Sequence, residues 1–161
     1  GDVAATAQSV AKENVVKAVQ GIGMVAETGT QAITEVVTGG VEALSTAGGS
    51  LTNGVVGLVR GVLDGAKEVG VDTTEAAGEA ASTVVKTVSQ VGGDVGEAAV
   101  SAVRGAIEAA GDIGAKGAVL GTLKAADQIG SEAGSLVRKA LLNAAALPHD
   151  IIDALLTGKT E

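Results

Sequence analysis

Apolar and polar positions recur along this chain with a period of 22 residues. Five segments align without an insertion, the first beginning at Val15 and the last ending at Gly114. Within each segment the first, fifth and eighth columns hold apolar or small residues, whereas the sixth column is polar. The first column consists of Val15, Val37, Val59, Ala81 and Val103. We therefore predict that one face of each segment is buried and another is solvated.

Half of this period, 11 residues, also recurs. Eleven residues make about three turns of an α-helix, whereas the strict two-residue alternation of a half-buried strand is absent. One such row consists of Ile22, Ile33, Leu44, Val55, Ala66, Ala77, Val88, Ala99 and Ala110. The pattern predicts an all-α fold whose long helices, rich in Ala, Gly and Val, pack as hairpins or as a bundle.

Two repeats carry matching signals for the end of one helix and the start of the next. In residues 70–77 and 93–99 a glycine suited to a helix end precedes an Asp that stands three residues before a Glu, which is a capping-box pattern. Each repeat is then a helix of roughly 17 to 19 residues and a tight turn. Because the period has no insertions, one continuous helix over residues 3–146 is the alternative. We favour breaks, chiefly at Gly48-Gly49 and Gly92-Gly93.

Small residues fill the predicted buried face, where Leu is common in soluble bundles. Glycines four residues apart let two helix backbones approach closely, although a chain rich in Gly and Ala also produces such pairs by chance. They occur at Gly57, Gly61 and Gly65, at Gly92 and Gly96, at Gly117 and Gly121, and at Gly130 and Gly134. Each helical Gly costs about 1 kcal/mol relative to Ala, so these helices need dense packing against a partner helix of the same or another chain. The predicted packing seam consists of Gly57, Gly61, Gly65, Val15, Val37, Val59 and Val103.

The phase of the repeat changes after Gly114, and Leu then replaces Val as the main apolar residue. We divide the chain into a 22-residue helical repeat region (1–114), a phase-shifted helical continuation (115–147), and a short C-terminal helix with a tail (148–161). Pro148 is expected to end the preceding helix.

The C-terminal segment is amphipathic and has two interpretations. It caps the helical stack, as terminal units of repeat proteins often do, or it docks on another protein through an exposed apolar side. The candidate docking residues are Leu147, Ile151, Ile152, Leu155 and Leu156.

Charge and composition narrow the range of partners. The chain has 19 acidic and 11 basic residues, a net charge of −8, and neither aromatic residues nor cysteine. The acidic balance and the lack of stacking side chains argue against nucleic acid. The longest charge-free stretch, residues 43–59, is diluted by polar residues, so we predict no transmembrane helix. The start at Gly1 is expected to follow removal of a preceding segment, either by a signal peptidase or as an expression tag, which leaves the compartment open.

The candidate catalytic signals are weak. His149 is the only histidine, so a Ser-His-Asp triad would have to use this residue as its base. Residues 158–160 read Gly-Lys-Thr, but the glycine that a phosphate loop needs five residues earlier is Asp153. The acidic residues, Glu79 among them, are spread singly, which is typical of a solvated face and not of a calcium loop. We therefore predict that the chain is not an enzyme and has no catalytic residue, cofactor or metal.

The 11- and 22-residue repeats, with motifs such as Val-Gly-Gly-Asp-Val-Gly-Glu-Ala-Ala at residues 91–99, resemble those of synucleins, exchangeable apolipoproteins, perilipins and late-embryogenesis-abundant proteins. The resemblance covers residues 15–114 and is one of period and composition. It implies a chain that is loosely structured alone and helical on a lipid surface, in a dry state, or against copies of itself. This chain departs from the lipid binders in its few lysines and its small, non-aromatic apolar face, which inserts weakly.

These observations lead to one main hypothesis about function. The chain is expected to be a non-enzymatic structural protein that self-assembles through tightly packed small-residue helical faces into an oligomer or filament. The alternative is an amphipathic helical protein that binds a lipid surface reversibly or protects against dehydration. Docking of a protein partner at the C-terminal segment is compatible with either.

Overall fold

The described part of the chain is a stack of α-helices. A computed structural model describes residues 26–47 and 51–144, with the isolated positions 10 and 13. Over these residues it contains five helices and no strand. The helices are α1 (Ala26–Ala47), α2 (Leu51–Val69), α3 (Thr73–Gln90), α4 (Val95–Ile129) and α5 (Ser131–Asn143). The all-α prediction is confirmed, and the alternative of one continuous helix is wrong.

Helices α2 and α3 end at equivalent positions of the 22-residue repeat. They are 19 and 18 residues long, in agreement with the predicted length of one unit. Gly70 and Gly92 follow them with φ of 83° and 82°, a left-handed conformation that costs glycine little. The amide of the next residue donates a hydrogen bond to the carbonyl five residues back, at 2.9 Å after α2 and 2.8 Å after α3. Both helices therefore end in a Schellman motif.

The next helix starts at once after each of these turns. The Asp72 carboxylate accepts a hydrogen bond from the backbone N–H of Glu75 at 2.9 Å, and the Asp94 carboxylate accepts one from the N–H of Glu97 at 3.1 Å. The two predicted helix starts are thus confirmed as side-chain N-caps. Such short turns make neighbouring helices antiparallel.

The other breaks differ in form. Residues 48–50, which include the predicted break at Gly48-Gly49, lie outside the described residues, between the end of α1 and the start of α2. Helix α4 is kinked at Gly111, where φ is 59° and ψ is −138°. We call the parts on either side α4a (residues 95–110) and α4b (residues 112–129). The next repeat position, Gly114, has Lys116 and not Asp two residues later, so the turn motif is missing there.

Each helix contacts its neighbour, and α1 and α2 also contact the helix after that. Contacts join α1 to α2 and α3, α2 to α3 and α4, α3 to α4, and α4 to α5, whereas the described residues of α1 and α4 do not touch. Since α1 and α2, α2 and α3, and α3 and α4a are antiparallel, the pairs two apart, α1 with α3 and α2 with α4a, run parallel and stack. The result is a solenoid-like stack in which each unit packs only on nearby units.

Small aliphatic side chains form one core through this stack. In the first column of the repeat Val37, Val59, Ala81 and Val103 are fully buried. In the fifth column Val41, Leu63 and Val85 are fully buried. Glu42, Lys86 and Glu108 of the polar sixth column are exposed. The predicted buried and solvated faces are therefore confirmed at these positions.

Candidate packing seam and assembly surface

The residues of the predicted seam lie inside the chain where the structure describes them. Val37, Val59 and Val103 belong to one core cluster. The three α2 glycines, Gly57, Gly61 and Gly65, are buried, and Val15 lies outside the described residues. Because these residues are interior to one chain, a role for them between chains stays a prediction.

One close backbone approach joins α3 to α4b. A Cβ atom built on Gly121 would collide with the carbonyl oxygen of Gly78, and one built on Gly117 would lie 2.5 Å from the carbonyl oxygen of Thr74. Real Cβ atoms do not come this near to backbone oxygens, so only glycine fits at either position. The pair Gly117 and Gly121 therefore packs backbone against backbone, as its spacing indicates.

Similar contacts recur at two other helix pairs. Between α4a and α2, a Cβ on Gly105 would lie 2.7 Å from the carbonyl oxygen of Val56. Between α4a and α5, a Cβ on Gly96 would lie 3.1 Å from the Cβ of Ala140. When α4a and α4b are counted as two helices, each of these contacts joins helices that are two apart along the chain. Small residues thus set the distance between such helices.

In two of the predicted glycine pairs, Gly92 with Gly96 and Gly130 with Gly134, the first glycine lies outside a helix. Gly92 lies in the left-handed turn after α3, and Gly130 lies at the junction of α4 and α5. Spacing alone does not separate a turn glycine from a packing glycine. Gly78 was not predicted as a packing residue. It lies four residues after Thr74, and these two residues contact Gly121 and Gly117, which are also four residues apart.

Hydrogen bonds between polar side chains also connect helices two apart. Thr34 Oγ1 donates to Glu79 Oε2 at 2.6 Å between α1 and α3. Thr52 Oγ1 donates to Glu97 Oε1 at 2.5 Å between α2 and α4a. In each pair the two residues are 45 positions apart in the chain, which is close to two repeats. The two bonds therefore join equivalent positions of helices that lie two apart in the stack. Glu79 is half-buried, which corrects its assignment to the solvated face.

The side chains of α2 also bond the end of α4a. Arg60 forms an ion pair with Glu108 at 3.1 Å. Lys67 Nζ donates to the carbonyl oxygen of Ala109 at 2.6 Å, two residues before the kink at Gly111. A helix end leaves carbonyl groups without helical partners, and the Lys67 ammonium satisfies one of them.

Large apolar side chains are exposed mainly at the C-terminal end of the stack. Of the seven exposed large hydrophobic residues at described positions, two are Val10 and Val91. The other five are Ile113, Leu120, Ile129, Leu136 and Leu142. The predicted docking residues Leu147, Ile151, Ile152, Leu155 and Leu156 lie outside the described residues, so the exposed residues found here are a different set.

Several of these side chains share one surface. On α4b, residues 113, 116, 120 and 124 follow helical spacing and are all exposed. Arg138 of α5 bonds both carboxylate oxygens of Asp127, at 3.2 and 3.3 Å, and Asp127 lies one heptad after Leu120. The α5 surface that bears Leu142 therefore adjoins the α4b stripe. We name this surface, formed by Ile113, Lys116, Leu120, Lys124 and Leu142, the C-terminal face.

The C-terminal face differs in charge from the rest of the stack. Residues 112–143 contain four basic and three acidic residues, whereas residues 26–110 contain four basic and eleven acidic residues. Within the described part of the chain, Lys116 and Lys124 form no ion pair. Apolar side chains and unpaired cations thus lie together on an otherwise acidic protein.

A metal site needs several ligand side chains close together, and a membrane span needs a long apolar helix. In residues 26–47 and 51–144, no group of three His, Cys, Asp or Glu side chains is arranged to hold a metal ion. Among the described helices, none combines the length and the apolar character needed to cross a bilayer. The sequence matches no protein-family model and no curated protein.

Proposed function

We propose that this chain is a non-enzymatic structural protein that associates with copies of itself into an oligomer or filament. The observation that carries the proposal is the C-terminal face, where Ile113, Leu120 and Leu142 are exposed in the part of the stack that holds five of the seven exposed large apolar residues at described positions. Large apolar side chains exposed on one surface are typical of an interaction surface.

The packing of the stack supports this role. Backbone contacts at Gly105, Gly117 and Gly121 bring the helices close together, and side-chain hydrogen bonds join helices two apart. A stack built in this way holds the backbone beneath its surface side chains in place. Association then costs little conformational entropy, so a modest apolar face is sufficient.

Electron microscopy and light scattering of the native chain in plain buffer test this function. We expect particles heavier than one chain, either discrete or elongated. A Leu120→Lys variant is expected to give monomers because it places a charge in the apolar face. Glu35→Lys, a substitution at an exposed site on α1, is the control and is expected to assemble normally. Only monomers of the native chain would contradict the proposal.

Binding to a lipid surface is the second candidate, and one observation favours it. Lys116 and Lys124 alternate with Ile113 and Leu120 on the exposed side of α4b, an arrangement found in interfacial helices. The apolar stripe is short, however, and the net charge of −8 opposes approach to anionic headgroups. The core-forming packing of the stack also needs no lipid, unlike a helix that forms only on a membrane or on drying.

Vesicle flotation with phosphatidylserine-containing and phosphatidylcholine-only vesicles separates the two functions. Under the structural proposal the chain stays with the soluble fraction in both cases and is helical by circular dichroism in dilute buffer. Flotation with anionic vesicles, together with helicity that appears only in their presence, would support the lipid-binding alternative.

A further inference from the structure

We propose that one side of α2, which bears Asn53, Gly57 and Gly61, binds residues 1–25 of the same chain, with Val15 packed on Gly61. We name it the glycine side of α2. This inference goes beyond the proposed self-association, because it assigns part of the predicted packing seam to a contact within one chain.

The equivalent side of α4a shows how such a surface packs. Two repeats after the glycine side of α2, the same positions are held by Glu97, Ser101 and Gly105. There the Thr52 hydroxyl donates to the Glu97 carboxylate at 2.5 Å, and a Cβ on Gly105 would lie 3.0 Å from the Cβ of Val59. This side of α4a therefore packs on α2, the parallel helix two positions earlier. By the same repeat, the glycine side of α2 faces the segment that precedes α1.

The burial of Gly57 indicates that this side of α2 is covered. Around it the helix bears polar residues that are exposed or half-exposed, namely Asn53, Asp64 and Glu68. Gly57 is nevertheless buried, whereas Gly39 on the solvent side of α1 is exposed. Gly57 projects about 160° away from Val59, which faces α4a, and about 100° away from Leu58, which faces α1. The cover of Gly57 therefore comes from a different side, which residues 1–25 can reach because they lead into α1.

The repeat also predicts the register of this contact. Gly105 lies against Val59, and the residues two repeats earlier are Gly61 and Val15. Val15 and Val59 belong to the same apolar column of the repeat. A valine on a helical glycine lets two backbones approach closely, as they do at Gly105. Val15 is therefore expected to contact Gly61.

The two described positions within residues 1–25 fit this orientation. Val10 and Glu13 are both helical and exposed. On a single helix these two residues would lie about 140° and 160° around the axis from Val15. A helix that exposes Val10 and Glu13 therefore turns Val15 toward the stack.

Disulfide formation tests the register, because the native chain has no cysteine. Gln8 and Asn53 lie two repeats before Thr52 and Glu97, whose side chains bond between α2 and α4a. We expect the double variant Q8C/N53C to form a disulfide within one chain under mild oxidation. The variant T52C/E97C is the matched control and is expected to cross-link at a comparable rate. The variant V10C/N53C places one thiol on the exposed side and is expected not to cross-link.

Mass spectrometry and non-reducing electrophoresis identify the products, and circular dichroism verifies that each variant is helical. A disulfide between two chains would overturn the inference, because it would assign the glycine side to a second copy. Cross-linking of T52C/E97C without cross-linking of Q8C/N53C would overturn the register. Since the expected bond lies within one chain, this test does not depend on self-association.

A pair of substitutions tests the contact without an added thiol. Val15→Asp places a carboxylate against α2 and is expected to lower the Tm by about 6–10 °C. Val10→Asp makes the same change on the exposed side and is expected to shift the Tm by less than about 2 °C. Thermal unfolding followed by circular dichroism measures both, and equal shifts would contradict the contact.

Discussion

Glycines in this stack have different effects according to what surrounds them. Gly121 lies where a side chain would collide with the backbone of α3, whereas Gly39 lies on the exposed side of α1, where an added methyl group would have no atom within 4 Å. Both are inside helices. Glycine is needed for close packing at residue 121, whereas at residue 39 it only lowers the helix propensity. Substitutions at the two positions therefore measure the two effects separately.

Gly121→Ala and Gly39→Ala are expected to change stability in opposite directions. The methyl group at residue 121 forces α3 and α4b apart and should lower the free energy of unfolding by about 1–3 kcal/mol. The same methyl group at residue 39 meets no atom and should raise it by about 0.5–1 kcal/mol, because alanine favours the helix. Chemical denaturation followed by circular dichroism measures both. Destabilisation by Gly39→Ala, or none by Gly121→Ala, would show that the close contact does not determine the cost.

A second residue-level prediction concerns Ser101 on α4a. The side chain is 1% exposed, and its hydroxyl oxygen has no hydrogen-bond partner within the described residues. A buried polar group without a partner costs about 1–3 kcal/mol, and alanine also has the higher helix propensity.

Ser101→Ala is therefore expected to raise the free energy of unfolding by about 0.5–1 kcal/mol, after allowance for the small loss of packing. Thermal unfolding monitored by circular dichroism measures the change. As a comparison, Thr122→Ala removes a buried hydroxyl that donates to the carbonyl of Val119 at 2.8 Å and should not stabilise. A destabilised Ser101→Ala protein would mean that this hydroxyl has a partner in solution.

At the scale of the elements, the turns repeat a short sequence code. A left-handed glycine ends the helix and an Asp two residues later caps the next one, at residues 70–72 and again at 92–94. Asp72→Ala and Asp94→Ala are each expected to lower the free energy of unfolding by about 1 kcal/mol. Because the two caps share no partner, the double variant should lose the sum of the two values. Glu35→Ala at an exposed mid-helix site is the control, with a change within about 0.5 kcal/mol; a cap variant that behaves like this control would contradict the assignment.

Helix ends were predictable where the signal is local. The end of α2 and the start of α3 depend on hydrogen bonds between residues within five positions of each other, so the glycine and the Asp carry the necessary information. The kink at Gly111 was not predicted, although the sequence signalled a change of phase nearby. Its position depends on how α4a fits against α2 while α4b fits against α3, and such contacts between distant residues are not visible in a local motif.

At the scale of the whole molecule, the repeat predicted which faces are buried but not which helices meet. A period of 22 residues assigns Val37, Val59 and Val103 to the interior, yet the same period is compatible with several ways of stacking the units. The pairing of Gly78 with Gly121 depends on the register between α3 and α4b. Small-residue spacing identifies surfaces able to pack closely, whereas the choice of partner depends on the complete set of neighbours. The C-terminal face was missed for the same reason, because exposure is a property of the assembled stack.

Self-association is the central claim about the function of this stack, and sedimentation velocity of the native chain tests it most directly. The chain has no aromatic residue, so interference optics are needed in place of ultraviolet absorbance. We expect the weight-average sedimentation coefficient to rise with concentration from the low to the high micromolar range in plain buffer, and to rise further when added salt screens the acidic surfaces. A single monomer species at every concentration and salt level would contradict the account.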